Sequence, residues 1–308
     1  STKGWLPLED DVVADEPIPT TQKAIFGYGY TTGIVSMSNL VNSSGVVATD
    51  VTGVGSARFA LAAASYGTDK AIFGYGKNGS NFSLTNLVSN SGVIASDVTG
   101  VGTARRYLAA AGYGLDKAIF GYGTTGSLVS MSNLVNNSGV VASDVTGVGT
   151  ARDQIAAAGY GVDKAIFGYG TTGSVSSLTN LVSNSGVVSA DVTGVGTARS
   201  GAAATNYGGD KAIFAYGNSG SNVSMSNLVS NSGVVSSDVT GVGTARNGLG
   251  ATGYGGDKAI FGYGYIGGSP DRVSMSNLVS NSGVVAADVT GVGTARYSLA
   301  AVGYSTSA

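Results

Sequence analysis

Asp153 and Asp271 are the two acidic residues that break the repeating pattern of this sequence. A pair of carboxyl groups can cleave a glycosidic bond when the two groups flank it at a suitable separation. The 308-residue chain contains no His and no Cys, so the commonest general base and the thiol nucleophile are absent. Because the two acids fall in different copies of a repeat, we expect no enzyme here. A glycan-active enzyme that uses Asp153 or Asp271 is kept as an alternative.

The sequence predicts neither a metal site nor a cofactor site. Asp and Asn are frequent, but they never follow the spacing of a calcium-binding loop. The recurring Gly-Tyr-Gly does not have the pattern of a phosphate-binding loop. The net charge of −2 argues against a nucleic-acid partner. No apolar run is long enough to cross a membrane, so we expect no membrane insertion.

The chain consists mainly of six copies of one repeat. The sequence KAIFGYG begins at Lys23 and returns every 47 residues, once as KAIFAYG. The last copy carries a three-residue insertion near residues 269–272, so its arginine lies three residues later in the repeat than in the other copies. This organisation predicts an extended acidic leader over residues 1–22 and a single repeat domain over residues 23–308.

Each repeat divides into four short runs of strand-forming residues, separated by Gly, Asn, Ser and Asp. Four strands repeated six times at this period indicate an all-β, six-bladed β-propeller with four-stranded blades. A β-solenoid is the main alternative. Because the first copy begins at its second strand, residues 295–304 should join the blade formed by residues 23–53 and so close the ring.

Two resemblances follow from these repeats. The pattern that runs from AR through LAAAGYG to DKAIFGYG resembles the kelch repeat, although the glycine pair appears as Gly-Tyr-Gly and the usual tryptophan of the fourth strand is missing. This resemblance implies a kelch-like propeller. More weakly, the tandem copies resemble repeats in virion and tail-fibre proteins of marine tailed phages, which implies a virion or cell-surface location.

Two stretches of the repeat vary between copies, and in a propeller both lie on one face. One follows the repeated arginine and the other follows Gly-Tyr-Gly. Loops on a rigid scaffold often carry binding residues, so we expect this face to contact a ligand. The candidate ligand-binding residues are Phe59, Lys77, Arg106, Tyr107, Asp153, Gln154, Asn247, Tyr265, Asp271, Arg272 and Tyr297.

One arginine per repeat does not vary, and a residue required in each blade is usually structural. We expect an arginine–carboxylate or arginine–carbonyl bond that ties strand ends together. The ring consists of Arg58, Arg105, Arg152, Arg199, Arg246 and Arg296. In the leader, Trp5 and Leu6 stand next to an acidic stretch and are expected to anchor a partner.

These observations favour a non-enzymatic module that recognises a protein receptor or a glycan through its variable face. Such a module would be displayed on a virion or at the cell surface, and residues 1–22 would contact other subunits. The alternative within this class is a purely architectural subunit of a particle or fibre.

Overall fold

The computed structural model describes residues 22–268 and 271–304. All regular secondary structure in these ranges is β-strand, and they contain no helix long and apolar enough to cross a membrane. The predicted leader, with Trp5 and Leu6, lies outside the described residues except for Gln22.

The repeats form six antiparallel sheets of three strands each. The strands are β1 (Lys23–Tyr30), β2 (Ile34–Val41), β3 (Ala62–Tyr66), β4 (Lys70–Gly74), β5 (Lys77–Asn78), β6 (Ser80–Asn81), β7 (Thr85–Val88), β8 (Ala109–Tyr113), β9 (Lys117–Gly121), β10 (Ser132–Val135), β11 (Ala156–Tyr160), β12 (Lys164–Gly168), β13 (Thr179–Val182), β14 (Ala203–Tyr207), β15 (Lys211–Ala215), β16 (Ser226–Val229), β17 (Gly250–Tyr254), β18 (Lys258–Tyr265), β19 (Arg272–Val279) and β20 (Ala300–Tyr304). Sheets 1 to 6 are β20-β1-β2, β3-β4-β7, β8-β9-β10, β11-β12-β13, β14-β15-β16 and β17-β18-β19, and β5 and β6 form a small separate hairpin.

The core lies between neighbouring sheets. In sheet 3 the central strand buries Ala118, Ile119 and Phe120 completely, because it is covered on both faces. The Phe120 ring meets the ring of Tyr75 from sheet 2 edge-on, with 5.1 Å between the centroids. Equivalent Tyr–Phe pairs join each sheet to the next. The sequence repeat is therefore also a repeat of the packing between sheets.

The predicted fourth strand is not formed as a strand in the described residues. In sheet 1 the segment that follows β2 makes only two isolated bridges, Ser38 with Val51 and Val41 with Val47. The side-chain amide of Asn39 donates to the carbonyl of Ala48, at 2.9 Å. The Asn39 side chain thus occupies a backbone carbonyl that would otherwise accept a hydrogen bond from a neighbouring strand. The prediction of four-stranded blades is therefore corrected: each sheet has three strands and an irregular edge.

The two ends of the described chain pair with each other. Strand β20 lies antiparallel to β1, with Lys23 opposite Tyr304 and Gly27 opposite Ala300. This all-β arrangement of repeated three-stranded sheets is propeller-like and is consistent with a six-bladed β-propeller.

Candidate functional site

The two variable stretches of the repeat are direct neighbours in the structure. The residue that follows each arginine forms a bridge with the residue that follows Gly-Tyr-Gly. These pairs are Phe59 with Lys77, Arg106 with Thr124, Asp153 with Thr171, Ser200 with Asn218, Asn247 with Tyr265, and Tyr297 with Tyr30. We call the surface formed by these residues and the adjoining Asp271 and Arg272 the loop face.

A closed ring of backbone hydrogen bonds lies at the centre of the loop face. Its members are the second residues after each arginine, namely Ala60, Tyr107, Gln154, Gly201, Gly248 and Ser298. Each backbone N–H donates to the carbonyl of the corresponding residue in the preceding sheet, over 2.7–3.0 Å, until Ala60 donates to Ser298. All six residues have a positive φ, between 49° and 61°. The predicted ligand residues Tyr107 and Gln154 therefore also have a structural task.

Aromatic rings from four sheets meet on one side of the loop face. The ring of Tyr297 lies 5.6 Å from that of Tyr30 and 5.4 Å from that of Tyr265. The cluster continues to Phe59, whose ring centroid lies 5.8 Å from that of Tyr30. It ends at Tyr107, whose ring centroid lies 6.4 Å from that of Phe59. Large rings with polar tips are frequent at binding surfaces, because they combine apolar contact with hydrogen bonding.

Arg272 brings a positive charge to this aromatic cluster. Its guanidinium carbon lies 5.5 Å from the Tyr30 ring and 5.8 Å from the Tyr297 ring. The same side chain forms an ion pair with Asp271, with 3.3 Å between Nη1 and Oδ1. The buried Nε of Arg272 has no hydrogen-bond partner among the described residues. The three-residue insertion of the last repeat thus gives this side of the loop face an acid and a base that the other repeats lack.

Asp153 lies beside a second cation on the same face. Burial raises the pKa of the Asp153 carboxyl, and the positive charge of Arg106 offsets part of the rise. The Arg106 guanidinium is oriented by Asn81, which accepts a hydrogen bond from Nη1 at 3.0 Å. It also lies 5.8 Å from the Tyr107 ring.

Two tyrosines of the loop face line one cavity. Tyr107 and Tyr297 belong to a space of about 170 Å³, together with Gln154 and Asn247. Burial raises the pKa of Tyr107 most, and Tyr297 and Asp153 add to that rise. Burial likewise raises the pKa of Tyr297, and Asp271 is among the groups that add to it. The two acids thus act electrostatically on residues of the same cavity.

Sequence reasoning missed three residues of the loop face. Tyr30 contacts Phe59, Tyr297 and Arg272, although only its loop had been noticed. Asn81 orients Arg106, and Asn222 accepts a hydrogen bond from the Asn247 amide at 2.7 Å. The available signal was the match between Asn81 and Asn222, which occupy the same position in SNF and SNV.

The repeated arginines directly precede loop-face residues in the chain, but they are fully buried. In sheet 3, Arg105 donates to the carbonyls of Tyr122 and Thr103 and to Oδ1 of Asn133, over 2.7–3.2 Å. Asp144 lies 4.0 Å from its Nη1. Since these partners all belong to the protein, the arginines hold the sheet together and leave little capacity for a ligand.

Each repeated Asp accepts hydrogen bonds from the segment that precedes the arginine. Asp144 accepts hydrogen bonds from the backbone N–H and the hydroxyl of Thr103, and from the Asn133 amide. Burial by itself would raise the pKa of Asp144, but the hydrogen bonds from Thr103 and Asn133 outweigh it and the pKa is lowered. The carboxylate is thus stabilised in its charged form, next to the arginine.

No protein-family model matches the chain, and no curated protein is similar to it. Among solved structures, the chain is similar to a fungal alcohol oxidase of the AA5 family in complex with copper, with a TM-score of 0.54 and 13% sequence identity. The match covers 91% of this chain and 65% of the oxidase. At this identity the similarity shows the fold. No family match supports the resemblance to kelch or phage-fibre repeats.

The similarity corrects two predictions. The sequence predicts a non-enzymatic module for binding or architecture, and predicts that the protein is not an enzyme. A solved structure that shares this fold is an oxidase, and this finding contradicts both predictions.

The residues of this chain do not fit the copper of that oxidase. Copper(II) sites in proteins usually include imidazole nitrogen, often beside a cysteine thiolate, and the chain has neither His nor Cys. Among the described residues, no group of three acidic side chains is placed to hold a metal ion. We therefore derive no catalytic step through copper.

Proposed function

We propose that the protein is an enzyme that cleaves a glycan at the loop face, with Asp153 as the general acid. The observation that carries the proposal is that Tyr107 and Tyr297 line one cavity of the loop face, and that Asp153 and Asp271 lie on the same face. Two carboxyl groups on either side of a bound sugar are the usual machinery of glycoside hydrolysis, which needs neither His nor Cys.

The aromatic cluster supports a sugar as the substrate. The rings of Tyr30, Tyr297 and Tyr265 lie within 5.4–5.6 Å of their neighbours, and their edges are tilted against one another. A pocket built from aromatic rings with a few placed polar groups is typical of small-molecule sites. The apolar face of a sugar would lie on the rings, and its hydroxyl groups would meet Asn247, Arg106 and Arg272.

The two acids have different surroundings, and this sets their roles. Burial holds the proton on Asp153 to a higher pH than on an ordinary Asp, so Asp153 is suited to donate a proton to the leaving oxygen. Asp271 forms an ion pair with the Arg272 guanidinium, with 3.3 Å between Nη1 and Oδ1. Asp271 would therefore act on the opposite side of the sugar, as the base or the nucleophile.

Several finer features belong to the same proposal. The sheets would form a closed, six-bladed, kelch-like propeller over residues 23–308, and the loop face would be one of its two surfaces. A glycan on a virion or cell surface is the proposed partner, which gives the protein a virion or extracellular location. Residues 1–22, with Trp5 and Leu6, would contact a neighbouring subunit.

The test is a search for reducing ends released from a panel of neutral and acidic polysaccharides by the full chain. We expect Asp153→Asn and Asp271→Asn each to reduce kcat at least a hundredfold, because one proton transfer is lost. Asp116→Asn is the matched control, since Asp116 lies in an exposed turn at the other end of the strands. Absence of activity on all substrates, or equal activity in the three variants, would overturn the proposal.

A further inference from the structure

A cavity of about 420 Å³ opens at the end of the sheets opposite to the loop face. The turns that join the first and second strands form its rim, and they include Leu115 and Val162. A deeper space of about 100 Å³ shares Ser65 and Asn206 with it and is lined by the first strands of all six sheets. We call the two spaces together the axial well. Its size falls within the range of ligand pockets, about 300–1,000 Å³.

Two polar side chains line the axial well at a position where the other sheets have glycine. The fourth residue of the first strand is a glycine in sheets 1, 3, 4 and 6, but it is Ser65 in sheet 2 and Asn206 in sheet 5. No hydrogen bond joins either side chain to another described residue. Gln22 adds a third group, because its Oε1 accepts from the N–H of Gly256 at 3.1 Å while its Nε2 donates to no described residue. These groups are available to a ligand with hydroxyl groups.

The rim of the well carries two apolar side chains in an unfavourable backbone conformation. Leu115 and Val162 lie in adjacent sheets, have φ values of 72° and 71°, and are 69% and 68% exposed. A β-branched residue at such a φ is strained, whereas Gly209 and Gly256 occupy the same position in other repeats without strain. Strain and exposure together at a cavity rim indicate a contact with something outside the fold.

The well carries little net charge. Lys117 is the charged residue in its wall, and its Nζ lies 3.2 Å from Oδ1 of Asp116. A charged ligand would therefore find no unpaired ion of opposite sign among the described wall residues, and a neutral ligand fits better.

We propose that the axial well binds a neutral amphiphile with a hydroxyl-bearing head and an apolar tail. The head forms hydrogen bonds with Ser65, Asn206 and Gln22, and the tail lies on Leu115 and Val162. An alkyl glycoside is the simplest compound with this chemistry. This site is separate from the loop face and does not depend on catalysis there.

The test uses n-hexyl β-D-glucoside, below its micelle concentration, and the full chain in a calorimetric titration. The double variant Ser65→Gly with Asn206→Gly gives both sheets the residue that four sheets already have, so it should fold. We expect it to bind at least tenfold more weakly, because two hydrogen bonds are lost. Leu115→Gly with Val162→Gly should also weaken hexyl glucoside roughly tenfold and leave the affinity for methyl glucoside unchanged.

Two further variants make the result decisive. Gly159→Leu should abolish binding by filling the well, and it should fold because an added Cβ meets only the Gly112 carbonyl, at 3.5 Å, and the Lys164 carbonyl, at 3.6 Å. Gly33→Ala, where nothing lies within 4 Å of the added Cβ, should bind hexyl glucoside like the unaltered protein. Hexyl glucoside binding that persists in Gly159→Leu, or that is lost in Gly33→Ala, would overturn the proposal.

Discussion

The guanidinium carbon of Arg105 lies 4.4 Å from the ring centroid of Tyr75, although the two residues belong to different sheets. The same guanidinium donates hydrogen bonds within its own sheet, to Tyr122 and Asn133. One buried cation therefore connects two repeats. Because the contact recurs at each of the six arginines, the sheets depend on one another for the stability of their most buried charges.

Arg105→Lys should lower the free energy of unfolding by roughly 2–4 kcal/mol, because lysine keeps the charge but cannot replace the fork of hydrogen bonds in a buried site. Urea denaturation followed by circular dichroism measures the loss. Arg106→Lys, next in sequence but half-exposed, is the control and should cost about 1 kcal/mol or less. Equal losses in the two variants would contradict a structural role for the buried arginine.

The buried tyrosines should make the protein sensitive to alkali. Burial raises the pKa of Tyr122 from 10.0 to about 12, and Arg152 offsets only part of that rise. The unfolded chain loses this proton near pH 10 while the folded protein retains it. The contribution to stability is therefore complete below about pH 10 and is lost as the pH rises toward 12.

Denaturation midpoints at pH 8, 10 and 11.5 check this expectation, and the midpoint should fall over the last interval. Tyr122→Phe should reduce the fall, because phenylalanine has no proton to lose. At pH 8 it should cost about 1 kcal/mol, since the bond from the Tyr122 hydroxyl to the Val148 carbonyl is removed. A steeper alkaline fall in Tyr122→Phe would count against this account.

The pH dependence of glycan cleavage should report on Asp153. Only protonated Asp153 can act as the acid, so kcat should decline as the pH rises through a pKa that burial has raised above 3.8. Arg106→Gln removes the charge that lowers this pKa, and the alkaline limb of the profile should move to higher pH. A limb that stays in place, or moves to lower pH, would assign the acid to another group.

Gly121→Ala should destabilise the fold by about 1–2 kcal/mol through overpacking. An added Cβ would lie 2.7 Å from Cζ of Phe167 in the next sheet. Thermal or urea unfolding measures the effect. Gly33→Ala is the control, because nothing lies within 4 Å of its added Cβ, and it should change stability by less than about 0.5 kcal/mol. A neutral Gly121→Ala would show that the Phe167 ring can shift freely.

The repeat made the sheets predictable, but not their outer edges. The alternation of strand-forming residues with turn residues marks KAIFG as a strand, and the structure buries its Ala, Ile and Phe in every sheet. The fourth run of each repeat looks equally suited to a strand. It does not form a regular strand, because the side-chain amides of Asn39 and its counterparts donate hydrogen bonds to backbone carbonyls of that run. The alternation of residue types in a sequence does not reveal this competition.

The candidate site was predictable only in part. Comparison of the six copies identified Phe59, Arg106, Asp153 and Tyr297, because a fixed scaffold makes local differences visible. It could not show that the insertion near Arg272 brings a guanidinium over Tyr30 at the other end of the chain. That contact depends on the pairing of β20 with β1, which is a long-range property of the fold.

The backbone hydrogen bonds at the centre of the loop face form a closed circle with a single donor-to-acceptor direction. Its members are Ala60, Tyr107, Gln154, Gly201, Gly248 and Ser298. Every amide points the same way around the circle, so each hydrogen bond polarises the next and the last polarises the first. The components of the six amide dipoles that lie along the circle cancel one another. A change that opens one of these bonds would therefore loosen all six loops, including those that carry Asp153 and Tyr297.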